Sequence, residues 1–422
     1  MLVRFFYTLI LVLVSPFFLY SLYKKKPGKP SVGKRWKEHF GITPALETLQ
    51  QPIWIHAVSV GEVLAVSPLI KRLKQKYPDQ AIVLTTTTST GAEQASKLNS
   101  LVEHRYMPLD FSFCVTSFIK KINPSQLFIM ETELWPNTLH SAANANLPIT
   151  IINARLSQRS ADRYAKVPAI FKLLSQHITQ VLCQHIDDAN RFITLGVNKD
   201  KIKVTGSIKF DIEITEQVKQ QATSLRNELG LQRPVWIAAS THQGEDEQVL
   251  EAHKLLLKQH SNALLILVPR HPERFDSVYT LASKEYCFDT TRRSDNQTVS
   301  VNTQVYLADT MGEMLMLLGA ADLCFMGGSL IGDKVGGHNL LEPAALGIAS
   351  ITGPSYFNFT DITKQLCAAD ATTIVKDSEQ LATVTAALFN DNMKRLTQGQ
   401  SALKVVKSNQ GAINQTLAEF NL

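Results

Sequence analysis

PIWIHAVSVGEVLAVSPL, residues 52–69, decides the fold. It opens as an apolar, β-branched run, PIWIHAV (52–58), and continues beyond Ser59 with a helical pattern. A run this apolar suits a parallel strand covered on both faces, and a helix following at once starts a strand–helix–strand unit. Glu62 stands where the strand gives way to the helix. A carboxylate there either complements the positive end of the helix or is held ready to take a proton. The helix end favours the anion and so argues for a weaker base.

The same rhythm recurs outward from this stretch. AIVLTTTT (81–88), QLFIMET (126–132), PITIINA (148–154), TQVLCQ (179–184) and IKVTGS (202–207) read as further strands. The polar stretch 206–234 reads as a connection. A second series follows: VWIAAS (235–240), ALLILVPR (263–270), VYLAD (305–309), DLCFMGG (322–328) and ASITGP (349–354). Strand–helix alternation on both sides of a connection predicts two doubly wound α/β domains. The 422 residues agree with two domains of about 200 residues each. The expected boundaries are 1–37 for an N-terminal segment of different character, 38–205 for the first domain, 206–234 for the connection and 235–422 for the second domain. Ligands of such sheets bind beyond the carboxyl ends of the strands, so the residues just after strands carry the chemistry.

Phe5 to Tyr23 is uncharged and about long enough to cross a hydrocarbon core, and no small-residue cleavage site follows it. It predicts an uncleaved anchor helix, spanning the membrane or lying flat on it where Pro16 bends the chain. Residues 1–37 hold eight basic residues and no acid against a chain total of +6, which leaves residues 38–422 at −2. The cluster from Lys24 to Lys37 predicts a body on the cytoplasmic side and attraction to anionic headgroups. The slightly acidic remainder excludes a general nucleic-acid surface. Five cysteines without a CxxC pair indicate reduced thiols rather than a disulfide framework or a zinc site. The histidines show no metal-ligand spacing.

Several nucleotide signals fail on inspection. GGSLIGDK (327–334) places Asp333 where a phosphate-gripping loop needs its lysine, and no GxGxxG or GxSxG occurs. An ATPase, a dehydrogenase and the simplest hydrolase are thereby disfavoured. GGHNLLEPAALG (336–347) predicts a helix from Leu340 to Leu346 whose start suits a phosphate, with Glu342 near ribose hydroxyls. A plain capped helix is the other reading. Arg270 of VPRHPERF (268–275) offers a fork for an anion, or is a surface turn. ADTMGEM (308–314) offers amides around Gly312 and a carboxylate, Glu313, able to read an amino group, or is only a helix start. ASTHQGEDE (239–247) is a similar loop with Ser240, Thr241 and His242. In METELWPN (130–137), Glu131 and Glu133 would share one side of an extended chain. A solvated acidic turn is the alternative. NARLSQRS (153–160) carries Arg155 and Arg159, and VTGSIKFD (204–211) carries Lys209, which in a cleft could meet a carboxylate or phosphate.

Taken in order, SVGE, METELWPN, ARLSQRS, GSIKFD, STHQGEDE, PRHPERF, MGE and GGHNLLEPA resemble the 3-deoxy-D-manno-octulosonic acid (Kdo) transferases of lipopolysaccharide assembly. The motifs span nearly the whole chain. The resemblance implies a GT-B fold, with two Rossmann-like domains facing a cleft behind an N-terminal membrane-anchor helix. It implies an acceptor on the first domain and a CMP-sugar on the second. It further implies inverting transfer of Kdo from CMP-Kdo to the lipid A precursor (lipid IVA), with no cofactor and no metal, at the bacterial inner membrane. On the same resemblance Glu62 is the general base, and Glu131 and Lys209 stabilise the transition state. Pro269, Arg270, Met311, Gly312, Glu313, Asn339, Leu340, Leu341 and Glu342 line the CMP site. A GT-B enzyme using another nucleotide sugar, such as a UDP-sugar transferase or epimerase, and a non-catalytic membrane-anchored nucleotide-binding scaffold are the alternatives.

Overall fold

The apolar runs become parallel strands in the computed structural model, which describes residues 2–24, 30–47 and 50–420. Lys25, Lys26 and Lys29 of the basic cluster lie outside the described residues. The chain divides into two units, Met1–Asp211 with Gln410–Leu422, and Ile212–Asn409.

In the first unit seven strands form one sheet. They are β1 (Ile53–His56), β2 (Ile82–Thr86), β3 (Glu103–Tyr106), β4 (Gln126–Met130), β5 (Ile149–Ala154), β6 (Gln180–Cys183) and β7 (Ile202–Val204). Their order is β3-β2-β1-β4-β5-β6-β7, with every pair parallel. Trp54 and Ile55 of β1 are both buried, as the two side-chain directions of a strand with helices on each face require. One face packs Trp54, Leu127 and Ile129 with Phe118, and the other packs Ile55, Leu84 and Phe128 with Val66 and Leu69.

The second unit repeats the plan. It holds β8 (Val235–Thr241), β9 (Leu264–Pro269), β10 (Thr290–Arg292), β11 (Val305–Leu307), β12 (Leu323–Met326), β13 (Ala349–Thr352) and β14 (Thr372–Ile374). These run in the order β10-β11-β9-β8-β12-β13-β14, again all parallel. Two parallel-sheet Rossmann-like domains of GT-B type are therefore present.

The unit boundaries differ from the sequence expectation at two places. The stretch 206–234 contributes Ile208–Phe210 to the first unit and a helix, Glu216–Leu229, to the second, where it packs on the helix Met314–Gly319. Residues 410–422 return to the first unit instead of ending the second. The Asp211 carboxylate accepts the amides of Gly411 and Ile413, both at 2.6 Å, and so caps the start of the helix Ala412–Ala418. Phe420 then stacks on Phe128 with ring centroids 4.0 Å apart. Those contacts bury the tail on the first sheet, and no sequence motif announces them.

The N-terminal helix runs from Leu2 to Tyr23 and is long and apolar enough to cross a membrane. Arg4, Tyr7, Thr8, Leu11, Ser15, Leu19 and Leu22 are partly covered, at the three-and-four spacing of one helical face. That face packs on the helices Pro136–Asn144 and Pro168–Ser175. Asn137 Nδ2 donates to Thr8 Oγ1 at 3.0 Å, and Tyr23 Oη lies 3.0 Å from His39 Nδ1. Phe5, Phe6, Ile10, Leu13 and Phe17 on the remaining circumference are exposed. Deleting residues 1–23 removes these two polar contacts and the hydrogen bond of Tyr7 to Asp110, each worth about 1 kcal/mol. Both sheets are expected to stay folded with a slightly lower melting temperature, while binding to lipid vesicles falls. A chain that no longer folds after this deletion would make the helix part of the core and not an anchor.

Candidate active site

Three of the sequence-selected residues converge at the carboxyl ends of the first sheet. Ser59 is the N-cap of the helix Val60–Lys76, and its Oγ accepts the Glu62 amide at 3.4 Å. The Glu62 carboxylate turns back to accept the Val58 amide at 2.9 Å and the Ser59 hydroxyl at 3.2 Å. This is a capping-box arrangement displaced by one residue. Capping and reactivity are therefore not exclusive here. Burial pushes the Glu62 carboxyl up to about 7 in spite of the Val58 and Ser59 hydrogen bonds, and the charges of Glu131 and Glu133 push the same way. The helix end had argued for a weaker base; desolvation and the two neighbouring carboxylates outweigh it.

Glu131 sits just past the end of β4 with φ +54°, a left-handed conformation that costs a non-glycine residue about 1–2 kcal/mol. The chain is thus not extended through Glu131 and Glu133, contrary to the sequence expectation. The kink delivers the Glu131 carboxylate to Lys209 Nζ at 2.9 Å. Lys209 is the middle residue of a short turn, Ile208–Phe210, whose two apolar neighbours are buried and leave the lysine directed outward. Glu133 instead accepts the Trp135 indole N–H at 3.1 Å.

Asn153 stands outside the sequence-selected residues. It is fully buried, has φ +52° and occupies a break in the β5–β6 register. Its Oδ1 accepts the Ile208 amide at 3.1 Å, which ties the lysine-bearing turn to the sheet. Bulges beside active sites re-aim side chains in this way. An asparagine tolerates φ > 0, so the residue type is compatible with the place without predicting it.

The second sheet carries the matching device at Ser240, where φ is +59° and the β8–β9 register shifts. The loop that follows is held by two buried acids. Asp246 accepts Thr241 Oγ1 at 2.6 Å and pairs with Arg274 of the PRHPERF segment. Glu245, with no exposed surface, accepts the amides of Gly328 at 2.6 Å, Ser329 at 3.0 Å and Leu330 at 3.0 Å, and of His242 at 3.3 Å. Burial raises its carboxyl above the ordinary range, and those amides oppose the rise. A Cβ on Gly327 would stand 2.8 Å from Glu245 Oε2, so only glycine lets the carboxylate approach. The loop GGSL could cradle a phosphate by its amides; the protein's own carboxylate already fills that nest. This gives the physical reason why the weak phosphate-loop signal at 327–334 is not one.

Arg270 is exposed at the end of β9, and its amide donates to the Thr241 carbonyl at 3.0 Å. Glu342 belongs to the same neighbourhood: burial raises its carboxyl, while an Asn339 hydrogen bond and the Arg270 charge lower it. Leu340 and Leu341 are buried, so they can offer a ligand only their backbone. The predicted helix 340–346 is shorter, Leu341–Ala345, and Asn339 Oδ1 already accepts the Leu341 amide at 3.1 Å. Five residues make a weak dipole, and the expectation of a strong phosphate-binding helix end is reduced accordingly. Pro269 closes β9. Met311 is exposed and Gly312 has φ +87°, but the Glu313 carboxylate is held bidentately by Arg293 at 2.6 and 2.7 Å. Neither Arg293 nor Glu245 is among the sequence-selected residues. Among the described residues, no group of three His, Cys, Asp or Glu side chains is arranged to hold a metal ion.

Residues 34–212 match the family described as 3-Deoxy-D-manno-octulosonic-acid transferase (kdotransferase). The chain is 41% identical over 417 residues to a 3-deoxy-D-manno-octulosonic acid transferase of Haemophilus influenzae, covering 98% of this chain and 97% of that protein. It is 32% identical over 380 residues to a probable mitochondrial 3-deoxy-D-manno-octulosonic acid transferase of Arabidopsis thaliana, covering 88% and 84%. Among solved structures it is similar to the UDP-GlcNAc 2-epimerase of Neisseria meningitidis (TM-score 0.58, 14% identity, 88% of this chain and 100% of that one). A glycosyltransferase of Rickettsia africae is similar too (TM-score 0.56, 13% identity, 87% and 97%). At these identities the structural likeness concerns the fold alone.

Proposed function

The chain belongs to the 3-deoxy-D-manno-octulosonic acid transferase family, and from that membership we propose that Glu62 is the base in Kdo transfer from CMP-Kdo to lipid IVA, with inversion. The protein is a glycosyltransferase of lipopolysaccharide biosynthesis, acting on a nucleotide-sugar donor and a glycolipid acceptor. The observation that carries the assignment of roles is the first-unit trio of Glu62, Glu131 and Lys209. A carboxyl lifted to about 7 accepts a proton readily at neutral pH, and the lift comes from burial and from Glu131 and Glu133.

The C–O bond to CMP stretches and positive charge grows on the ring oxygen and anomeric carbon of the sugar. The acceptor hydroxyl attacks that carbon and passes its proton to Glu62 as the new C–O bond forms. Glu131 favours the positive charge of the transition state, and Lys209 holds the Glu131 carboxylate in place at 2.9 Å. CMP leaves with one phosphate, which Arg270 and the backbone near Asn339 and Leu340 receive. Met311 and Gly312 offer backbone to the nucleotide, and Glu342 its carboxylate. Glu313 acts by fixing that loop, since its carboxylate is occupied by Arg293. The first unit takes the acceptor and the second the donor. The Leu2–Tyr23 helix holds the body at the cytoplasmic face of the inner membrane, where a glycolipid acceptor resides.

The test is a pH profile of Kdo transfer. The kcat/KM is expected to rise with pH and level off above about 7, because the base works only when deprotonated. Glu131 raises the Glu62 carboxyl, so Glu131→Gln should move the rising limb to lower pH while lowering the plateau. A limb that does not move would separate Glu62 from the profile. CMP should compete with the donor and UDP should not; the reverse would assign the chain to a UDP-sugar enzyme.

A further inference from the structure

The second unit contains a cluster of imidazoles that the roles above leave unused. His242 follows the bulge at Ser240, His338 follows the glycines at 336–337, and His271 precedes the turn after β9. The rings of His242 and His338 lie head to head, with centroids 5.1 Å apart, planes 9° from parallel and their Nε2 atoms 2.8 Å apart. His271 meets His242 edge-on at 5.2 Å. Gly328 has room for no side chain because a Cβ would lie 2.9 Å from the His338 ring, so the backbone is shaped to admit that imidazole. The main chain of His242 is fixed by Glu245, and the Arg270 charge acts on both His242 and His338.

We propose that His242 and His338, flanked by His271, form an oxyanion subsite for the carboxylate of the donor sugar, beside the phosphate position at Arg270. The inference rests on the reading of the chain as a CMP-Kdo enzyme and names a specificity element within it. Kdo is a 2-ulosonic acid, so its carboxylate is attached to the same anomeric carbon as the phosphate oxygen. Two anions side by side need two sets of donors, and a guanidinium committed to the phosphate leaves the second unserved. The three histidines lie next to that guanidinium.

The protonation of the pair fits this use. Burial, reinforced by neighbouring His271, Arg270 and Arg274, pulls His242 down to about 4. Burial, followed by the charges of His242, Arg270 and His271, pulls His338 down to about 3. Both rings are neutral at pH 7; one donates the shared Nε2 hydrogen to the other, and the accepting ring carries its own hydrogen on Nδ1, the N–H that the pair has left for the carboxylate. Neutral N–H donors orient a carboxylate without cancelling its charge. That charge then remains available to the cationic anomeric carbon next to it as CMP departs. A lysine or arginine in the same place would hold the carboxylate more tightly and cost the transition state that attraction.

The experiment uses the full chain in detergent with lipid acceptor and compares His338→Leu and His338→Gln with the wild type. The readouts are KM for CMP-Kdo, inhibition by CMP, and melting temperature. CMP carries the phosphate without the carboxylate and separates the two anions. For a hydrogen bond to a charged group the KM for CMP-Kdo should rise about 10–100-fold in His338→Leu, with CMP inhibition changed less than about threefold. His338→Gln, which keeps an N–H donor, should recover most of the loss and shows that the position tolerates substitution. Parallel loss of CMP affinity would assign the imidazoles to the phosphate and overturn the proposal. An unchanged KM in a wild-type-stable His338→Leu enzyme would overturn it as well. A wild-type chain that fails to use CMP-Kdo at all would remove the functional reading, and the subsite with it.

Discussion

Glu62→Gln is expected to lower Kdo transfer about 10²–10⁴-fold, the usual contribution of a positioned general base. Size and most of the hydrogen bonding survive the substitution. The amide oxygen can still accept from Val58 or Ser59, whose donors now hold the two carboxylate oxygens. What is lost is the ability to take the acceptor's proton. If the residue served only as a cap, the cost would be confined to stability, at a few tenths to about 1 kcal/mol, with turnover nearly intact. The two outcomes differ by orders of magnitude in rate, so one preparation decides. CMP affinity should hardly change, because the nucleotide motifs belong to the other unit. Transfer, CMP binding and melting temperature are measured together. A folded variant with near-normal turnover removes Glu62 from the mechanism and makes Glu131 the next candidate base.

The parts of the fold legible in the sequence are those governed by burial. Central strands such as IWIH and LLILVP are covered on both faces, and continuous apolar runs mark them. Three of the four edge strands are not legible: β3 (EHRY), β10 (TTR) and β14 (TTI). Each is short and polar, as edges that must not recruit another chain tend to be, so nothing in the hydrophobic pattern separates them from loops. The C-terminal tail is not legible for another reason. Its place depends on Asp211 reaching Gly411 and Ile413, a pairing across some 200 positions of sequence that no local rule encodes.

The site divides along the same line. Glu62, Glu131, Lys209 and Arg270 follow strands and could be picked out one by one. The residues that place them could not. Asn153 and Ser240 act through left-handed backbone at strand breaks, and Ser240 leaves no mark in composition. The raised carboxyl of Glu62 is not legible in the sequence, because the helix end is visible there whereas burial and the approach of Glu131 are not. Arg293 is not legible because its pairing with Glu313 spans 20 positions of sequence.

Glu245→Ala is expected to damage the second unit more than any other single change on that side. The wild-type carboxylate satisfies four backbone amides with no help from solvent, three of them in the loop Gly328–Leu330. Truncation leaves those donors buried without an acceptor and opens a void beside Gly327. Hydrogen bonds to a charged group and the cost of orphaned buried amides together suggest a loss of about 3–5 kcal/mol. For a domain of about 200 residues that corresponds to a melting temperature lower by roughly 6–20 °C. The loop can recover part of the loss by admitting an anion, because the emptied nest again presents convergent amides. Phosphate or sulfate should therefore raise the melting temperature of Glu245→Ala by more than it raises that of the wild type. Glu245→Gln keeps the volume but points an NH₂ at two of the four donors, and should be intermediate in stability with no such anion response. Donor binding should weaken in both variants, since the same loop leads to His338 and Asn339. A Glu245→Ala protein that melts like the wild type and ignores phosphate would show that solvent, and not the carboxylate, holds the loop.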